Sequence, residues 1–532
     1  MSVLPQVARG RQPAVNARAV RLSEGPWLIT AAVMLATFME ILDATVVSVS
    51  LTHIAGSLSS TPSEATWALT SYLVANGFVI PISGWLANHF GRKNVLLIST
   101  AGFTLASLLC GIAPSMALLV TFRVVQGACG GSLQPMSQAV MLEAFPPKQH
   151  GKAMAVWAMG AIVAPVLGPV LGGWLTDNFS WRWVFYINLP VGLVSAFMIK
   201  AFLKDPPYIR RSSARIDSWG LATLATWVAA LQIMLDKGQE KDWFDSIFIL
   251  LLAVVFVVGL VAWVARELSA REPVAELRLF GQVPFAAGTV VMALSGFMLY
   301  GGQTTISLWL QTLLGYPSMQ AGEAMLAVGL GAAFAMPIAA ALVSRFDPRK
   351  VCVCGVLGLS LSFYQLMGSN LRVGYWDLFW PQFLQGASVG LMFVPLAVVT
   401  MAFVPKEKMG NATSLFNMMR NIGGGVGISL VTTMLIRQGQ QQTNLLVANI
   451  TPTCPLAQSL LAAGRGLFAG SGPVLADQQA YATLFGLVLR EATMVALVRI
   501  FQFLGILALI MIPLIALTKR PPKEPSGKIA LH

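Results

Sequence analysis

The chain has 532 residues, of which 56% are hydrophobic and only 11% are charged. Soluble domains average about 25% charged residues, so this composition indicates a multi-span membrane protein and argues against a soluble enzyme or a secreted protein. The net charge of +13 could suggest nucleic-acid binding. Most lysines and arginines, however, fall in loops assigned to one side of the membrane, where they would also attract anionic membrane lipids. We therefore expect no nucleic-acid partner.

Hydropathy predicts about fourteen spans, the first beginning near Trp27. An even number returns the C-terminus to the basic side, so both termini are placed in the cytoplasm. The predicted fold class is all-α integral membrane, multi-pass. The predicted organisation is a basic tail over residues 1–26, a six-helix half over 27–203, a linker with two extra spans over 204–282, a second six-helix half over 283–518 with a long outer loop at about 439–477, and a cytoplasmic tail over 519–532.

The first span contains two acidic residues, Glu40 and Asp43. An aspartate at the bilayer centre costs at least about 2.5 kcal/mol on insertion scales. The two residues are three apart and share one helix face, so that face should point into the protein. A merely structural polar pair is the alternative to a functional acidic site, and we favour the functional site.

A basic turn, GWLANHFGRK, joins the second and third spans. It contains Gly84, Asn88, Gly91, Arg92 and Lys93. The two cations could clamp helix ends and lock one conformation of the first half. An ordinary basic cytoplasmic turn is the alternative.

Span five is rich in glycine and proline, at Pro165, Gly168, Pro169, Gly172 and Gly173. Small residues four apart let helix backbones approach closely. Each proline removes a backbone donor and allows a kink. A close-packed, bendable interface suits a transporter that rocks, although small-residue packing also occurs in rigid membrane proteins.

Two cations, Arg123 and Arg420, fall within predicted spans. Each needs an acidic partner or substrate. Arg123 lies at a membrane depth similar to that of the first-span acids, so it could pair with Asp43 or Glu40. Arg420 could meet an anionic substrate or pair with Glu40 across the halves.

Other polar and aromatic residues within the spans are candidates for lining a substrate cavity, although hydrogen bonding between helices would explain each equally well. They are Asn76, Gln126, Trp157, Tyr300, Gln303, Gln311, Gln385 and Asn417. No cluster of metal-ligating residues and no phosphate-binding loop stands out, so we expect no metal and no coupling to ATP hydrolysis within this chain.

The first and last blocks of six spans resemble one another. Duplicated six-span halves are the signature of a secondary transporter whose substrate site lies between the halves. The matching segments are 144–153 with 402–412, 122–129 with 381–388, and, more loosely, 86–93 with 342–350.

These motifs together resemble the 14-span drug:proton antiporters of the major facilitator superfamily, and most closely their EmrB-type subunits. ILDATVVSVSL, residues 41–51, is similar to the first-span motif, which places its aspartate on Asp43. FRVVQG is similar to the proton-coupling arginine motif and places that role on Arg123. Span five is similar to the antiporter motif. The chain departs from the family pattern at Asn88, where an acid is usual, and at Glu40, an additional acid.

The resemblance implies proton-driven export of amphipathic, drug-like compounds across a bacterial inner membrane, with no cofactor besides the proton gradient. It also implies a periplasmic adaptor protein and an outer-membrane channel as partners, and makes the long outer loop periplasmic. One alternative is a narrow-substrate exporter of a fatty acid, siderophore or metabolite. A lipid-modifying membrane enzyme and a channel are disfavoured.

Overall fold

The computed structural model describes residues 25–205, 217–270, 273–451 and 454–519. The two predicted tails, apart from their innermost residues, and part of the central linker lie outside these residues. The described chain is helical throughout its regular elements. The helices are α1 Pro26–Val49, α2 Leu51–Ser57, α3 Pro62–Ala65, α4 Trp67–Phe90, α5 Arg92–Gly111, α6 Met116–Gly130, α7 Leu133–Ala144, α8 His150–Asn178, α9 Trp183–Tyr186, α10 Asn188–Phe202, α11 Ser218–Lys237, α12 Ile247–Ser269, α13 Val283–Leu308, α14 Ser318–Arg345, α15 Pro348–Met367, α16 Tyr375–Met401, α17 Met409–Ala448, α18 Pro455–Leu467 and α19 Pro473–Ala516.

Thirteen helical segments in the described chain are long and apolar enough to cross a membrane by length and composition. The pairs α6–α7 and α9–α10 each form one such segment. The helix α17 brings the number of long segments to fourteen, but it carries a polar face that lowers its hydropathy. The predicted all-α integral membrane fold with fourteen spans is confirmed.

The long helices form two bundles, α1–α10 and α13–α19, which we call the first and second bundle. The bundles meet where α8 packs on α14 and α16, and where α17 packs on α4 and α7. Successive helices alternate in direction. The turns with Arg92, Lys148, Arg345 and Lys408 therefore lie together at one end of the molecule, which we call the basic end.

Of the two additional helices, α11 lies against both bundles and α12 packs on α11. On α11, the carbonyl of Leu235 accepts a hydrogen bond from Ser429 of α17 at 2.9 Å. Asp236 accepts one from Thr70 of α4 at 2.8 Å. The first additional helix therefore bridges the two bundles at the end opposite the basic end.

The internal repeat is visible in the packing as well as in the sequence. A Cβ at Gly127 on α6 would collide with the backbone carbonyl of Tyr72 on α4. A Cβ at the matching Gly386 on α16 would collide in the same way with the carbonyl of Val328 on α14. Both bundles therefore use a glycine at the same place to bring two helix backbones into contact.

The segment expected to be a long outer loop at about 439–477 is largely helical. The helix α17 has 40 residues and α19 has 44 residues. At 1.5 Å per residue these helices measure roughly 60 and 66 Å, about twice the hydrocarbon core of a bilayer. They therefore extend beyond the other spans at the end opposite the basic end, where α18 joins them. The segment is rich in Gln, Ala and Leu, which are strong helix formers, and that propensity outweighs its weak hydrophobic pattern.

Replacing Gly386 by valine should destabilise the protein, because the new side chain has to displace the carbonyl of Val328. Overpacking of this kind costs about 1–3 kcal/mol. The check is the thermal unfolding midpoint of the detergent-purified protein. The matched control is Gly173→Ala on α8, where no atom lies within 4 Å of the added Cβ. Equal midpoints for the two variants would contradict the close-packing interpretation.

Candidate functional site

The helix α1 turns both of its acids into the protein. Glu40 is 3% exposed and Asp43 is 1% exposed. Because the residues are three apart, they share a face but differ in direction by about 60° around the helix axis. Each acid therefore has its own set of partners.

Asp43 forms a buried ion pair with Arg123 of α6. The distance from the arginine Nη1 to the Asp43 Oδ2 is 2.5 Å, and neither side chain is exposed to solvent. The other carboxylate oxygen accepts hydrogen bonds from Gln126 at 3.0 Å and from Asn188 of α10 at 2.7 Å. The carboxylate is thus held by three donors from two neighbouring helices.

Arg123 is held in place by contacts other than its acid. Its Nε donates to the backbone carbonyl of Ala68 at 2.8 Å. Its guanidinium lies over the ring of Tyr72, 4.2 Å from the centroid. Its Nη2 has no hydrogen-bond partner among the described residues. Removing one member of a buried pair costs about 3–5 kcal/mol, because the other charge is left uncompensated. Loss of the negative charge on Asp43 would therefore leave the buried guanidinium of Arg123 without a counter-charge.

Glu40 has a different environment. It accepts hydrogen bonds from Tyr72 at 3.1 Å, from Asn76 at 2.9 Å and from Gln134 of α7 at 2.6 Å. All three donors are neutral. The charge of Glu40 is therefore stabilised by hydrogen bonds and by more distant cations.

Arg420 of α17 reaches Glu40 through an intermediary. Its Nη2 donates to the Oε1 of Gln134, and the Nε2 of the same amide donates to Glu40. The guanidinium also lies 5.4 Å from the ring of Trp157, which stacks on Phe393. The sequence left open whether Arg420 meets a substrate or Glu40, and the structure places a glutamine between the two charges.

Arg420 is the innermost member of a polar row on α17 formed by Asn411, Ser414, Asn417 and Arg420. We call these four residues the polar ladder. They are three residues apart, so they follow one face of the helix from the basic end to the middle of the molecule.

Each member of the polar ladder contacts the first bundle. Asn411 lies against Gly84, where a Cβ would collide with its backbone. Ser414 bonds to Ser83 at 2.7 Å, Asn417 donates to Gln138 at 2.6 Å, and Arg420 donates to Gln134. The polar ladder therefore holds the two bundles together over the half of the molecule nearest the basic end.

The loop motif at the basic end joins three elements of the first bundle. Gly91 has φ of +87°, a conformation that favours glycine. The backbone N–H of Lys93 donates to Asp205 at 2.8 Å, and its Nζ donates to the carbonyl of Lys200 at 2.6 Å. Arg92 is buried and forms an ion pair with Glu143 at the end of α7. Asn88 is half-buried at the end of α4.

The glycine–proline run of α8 lies at two helix interfaces. A Cβ at Gly168 would collide with Thr45, and one at Gly172 would collide with Val46, both on α1. On another side, Pro169 lies against Gly322 of α14 in the second bundle. Pro165 lies within the same helix, and nothing lies within 4 Å of a Cβ at Gly173.

The remaining candidates are dispersed. The ring of Tyr300 packs against Gly424. Gln385 is buried, Gln303 is half-buried, and each has a side-chain amide nitrogen without a hydrogen-bond partner among the described residues. Gln311 is exposed at the end of its span and donates to Ser307 at 2.8 Å, so it is not part of the network around the acids.

Three residues that bond to the two acids were not predicted from the sequence: Tyr72, Gln134 and Asn188. Gln138, which bonds to the polar ladder, was not predicted either. The available signal was the presence of a polar side chain inside an apolar span, which Gln126 and Asn76 also show. Ser and Gln are frequent in these spans, so that signal alone does not separate the network from ordinary contacts between helices.

Comparison with known proteins identifies the family. The profile of the Major Facilitator Superfamily matches residues 33–428. The multidrug export protein EmrB of Haemophilus influenzae is 39% identical over 433 residues, which are 81% of this chain and 85% of that protein. The fatty acid resistance protein FarB of Neisseria gonorrhoeae is 35% identical over 498 residues, 93% of this chain and 96% of that protein. EmrB of Escherichia coli K12 is 34% identical over 495 residues, 93% and 95% of the two chains.

Solved structures agree on the fold. The human organic anion transporter MFSD10 superimposes with a TM-score of 0.55 and 16% identity, covering 91% of this chain and 100% of that one. The proton:xylose symporter XylE gives a TM-score of 0.55 and 13% identity, covering 91% and 95%. Identities this low show the fold alone. Together with the sequence relatives they establish that the chain belongs to the Major Facilitator Superfamily, within its EmrB-type transporters.

Proposed function

We propose that this protein is a drug:proton antiporter of the bacterial inner membrane that exports hydrophobic or amphipathic toxic compounds by alternating access, and is a transporter rather than an enzyme. The observation that carries the proposal is the buried ion pair between Asp43 and Arg123. Intramembrane acids paired with arginine are typical of proton-coupled sites. Relatives named for multidrug export support the substrate class.

Protonation of Asp43 is the coupling step. A neutral carboxyl group no longer balances the guanidinium of Arg123, which keeps its bond to Ala68 and its contact with the ring of Tyr72. A buried, uncompensated cation is costly, so the first bundle relaxes towards an arrangement that hydrates or re-pairs it. Gln126 and Asn188 hold the carboxylate in position before the proton arrives.

Substrate binds between the two bundles, where α8 and α16 face α7 and α17. Trp157 and Phe393 stack there, with ring centroids 5.5 Å apart, and both are buried while the bundles are together. Separation of the bundles would expose them as an aromatic surface. Large aromatic surfaces bind amphipathic molecules of varied shape through apolar contact. Broad substrate range follows from that kind of surface.

An exporter of acidic amphiphiles is the second candidate. Arg420 lies beside the same aromatic pair, and its Nε has no hydrogen-bond partner among the described residues. A relative is named for fatty acid resistance. A carboxylate or similar anion could therefore bind Arg420 while its apolar part lies on Trp157.

The extended ends of α17 and α19, together with α18, are the proposed contact for a periplasmic adaptor protein, which would pass substrate to an outer-membrane channel. On α18, Leu456 is 68% exposed and Leu467 is 81% exposed. Val474 at the start of α19 is 73% exposed. Apolar side chains exposed on a projecting hairpin are suited to a protein partner. In the proposed orientation the basic end lies on the cytoplasmic side, in agreement with the positive-inside rule, and both termini are expected there as well.

Replacing Asp43 by asparagine should abolish proton-driven transport, because asparagine keeps the shape but cannot carry the proton. In inside-out vesicles with an acidic lumen, substrate uptake should fall to the level of vesicles without the protein. The matched control is Asp177→Asn, an exposed acid at the end of α8, which should transport as the unaltered protein does. Unchanged acid-driven uptake in Asp43→Asn would remove Asp43 from the mechanism.

Replacing Arg420 by glutamine separates the two candidate substrate classes. If acidic amphiphiles bind this cation, their apparent affinity should fall by about tenfold or more, the size of one lost charge-assisted hydrogen bond. Because Arg420 also bonds to Gln134, the substitution can change all classes together, so the deciding quantity is the fall in affinity for acidic amphiphiles relative to neutral and cationic ones of similar size. A uniform change across a competition panel of the three charge classes would argue against an anion site at Arg420.

Replacing Leu467 by aspartate tests the adaptor contact. The change puts a charge on an exposed apolar surface far from the acids, so drug resistance in cells should fall while uptake by inside-out vesicles stays the same. Equal loss in both assays would indicate a folding defect, and equal retention would argue against α18 as the contact.

A further inference from the structure

Gln134 connects the two bundles at the innermost member of the polar ladder. Its amide lies between an acid of the first bundle, Glu40, and a cation of the second bundle, Arg420. We propose that Gln134 is a positioning residue that latches the bundles together at the basic end when Glu40 is ionised and releases them when Glu40 is protonated. The inference rests on the proposed transport function and adds a second proton-sensing step to it.

The orientation of the Gln134 side-chain amide supports this role. Its Oε1 accepts from the guanidinium of Arg420 and its Nε2 donates to the Glu40 carboxylate at 2.6 Å. The reverse orientation would set N–H groups against N–H groups and oxygen against oxygen. The two charges thus fix one orientation, and both bonds are charge-assisted, which makes them stronger than bonds between neutral groups.

The other contacts of the polar ladder are neutral. Ser83 bonds to Ser414, and Gln138 bonds to Asn417. Titration of a carboxyl group leaves such bonds unchanged. Among the four ladder positions, the contact through Gln134 is the one whose strength depends on the charge of Glu40.

Several charged or titratable groups surround Glu40. Tyr72 on α4 donates to it, Arg420 faces it through Gln134, and Asp43 with Arg123 lies one turn further along α1. Arg123 is already paired with Asp43. The nearest unpaired cation that can respond to the charge of Glu40 is therefore Arg420.

These contacts determine how pH changes the separation of the bundles. At high pH, an ionised Glu40 holds the amide and, through it, Arg420, and the bundles stay together at the basic end. At low pH, a neutral Glu40 is a weaker acceptor, and the innermost contact loosens. Protonation therefore favours separation of the bundles at the basic end. A proton that binds from the opposite side can then leave through the basic end.

The test measures the distance between the bundles directly. Spin labels go at Asn94 on α5 and Ser344 on α14, both exposed at the basic end of different bundles, in a chain whose five native cysteines are replaced by alanine. Pulsed electron resonance then gives the fraction of molecules with a wide separation. Between about pH 8 and about pH 5, the ratio of wide to narrow separations should rise about tenfold or more.

Two variants should remove this pH dependence. Gln134→Met keeps the length of the side chain but has no amide, and Glu40→Gln mimics the protonated acid, so both should show the wide separation at either pH. The matched control, Ser414→Ala, removes a neutral contact of the same ladder. It should widen the distribution at both pH values while keeping the pH dependence.

Further outcomes separate this proposal from the coupling role of Asp43. Asp43→Asn should lose acid-driven transport yet keep the pH-dependent separation. If Gln134→Met and Glu40→Gln retain the dependence of the unaltered protein, the latch is refuted. If Asp43→Asn is the only variant that abolishes the pH-dependent separation, Asp43 is the sensor. That result would refute the latch and leave the proposed antiport function unaffected.

Discussion

The structure depends on one constraint: a carboxylate and a guanidinium have to neutralise each other inside a bundle of apolar helices. Asp43 and Arg123 meet with no exposure to solvent, and amide donors from two further positions satisfy the second carboxylate oxygen. Buried charges are tolerated only when each is paired and hydrogen-bonded. In the proposed mechanism, neutralising the acid would change the preferred packing of the first bundle, and this would be the physical basis for linking a proton to a conformational change.

The two bundles share a duplicated architecture but not this charge pair. In the repeat, Arg123 corresponds to Gln382, and Gln126 corresponds to Gln385. Both second-bundle glutamines are buried, and a Cβ at Gly302 would lie 3.0 Å from the amide nitrogen of Gln385. Ionic coupling is thus concentrated in the first bundle. The second bundle contributes Arg420 at the interface, where it reaches the first bundle through Gln134.

The sequence predicted the helical membrane fold and the duplication, because hydropathy and repeated motifs report on them directly. It also anticipated the pairing of Arg123 with an acid of α1, since an intramembrane cation requires a partner. It could not choose between Asp43 and Glu40, because that choice depends on the rotation of α1 against α6. Gln134 was missed because burying a neutral amide in a span costs less than burying a charge, so its presence does not require a particular partner. The segment at about 439–477 was predicted as an outer loop that is only partly helical, and the extent of its helices was underestimated because its hydrophobic pattern is weak.

A change at α1 reaches the interface between the bundles through α8. The backbone of α8 meets α1 at Gly168 and Gly172, where α8 has no side chain of its own and Thr45 and Val46 of α1 lie directly against it. The same helix meets α14 at Gly322. Helices in such close contact cannot absorb a shift by rearranging flexible side chains, so a displacement of α1 has to be taken up by α8 as a rigid body or by bending near Pro165 and Pro169. In either case the displacement would be passed on to the second bundle, and glycine at positions 168 and 172 is needed because a larger side chain would collide with α1.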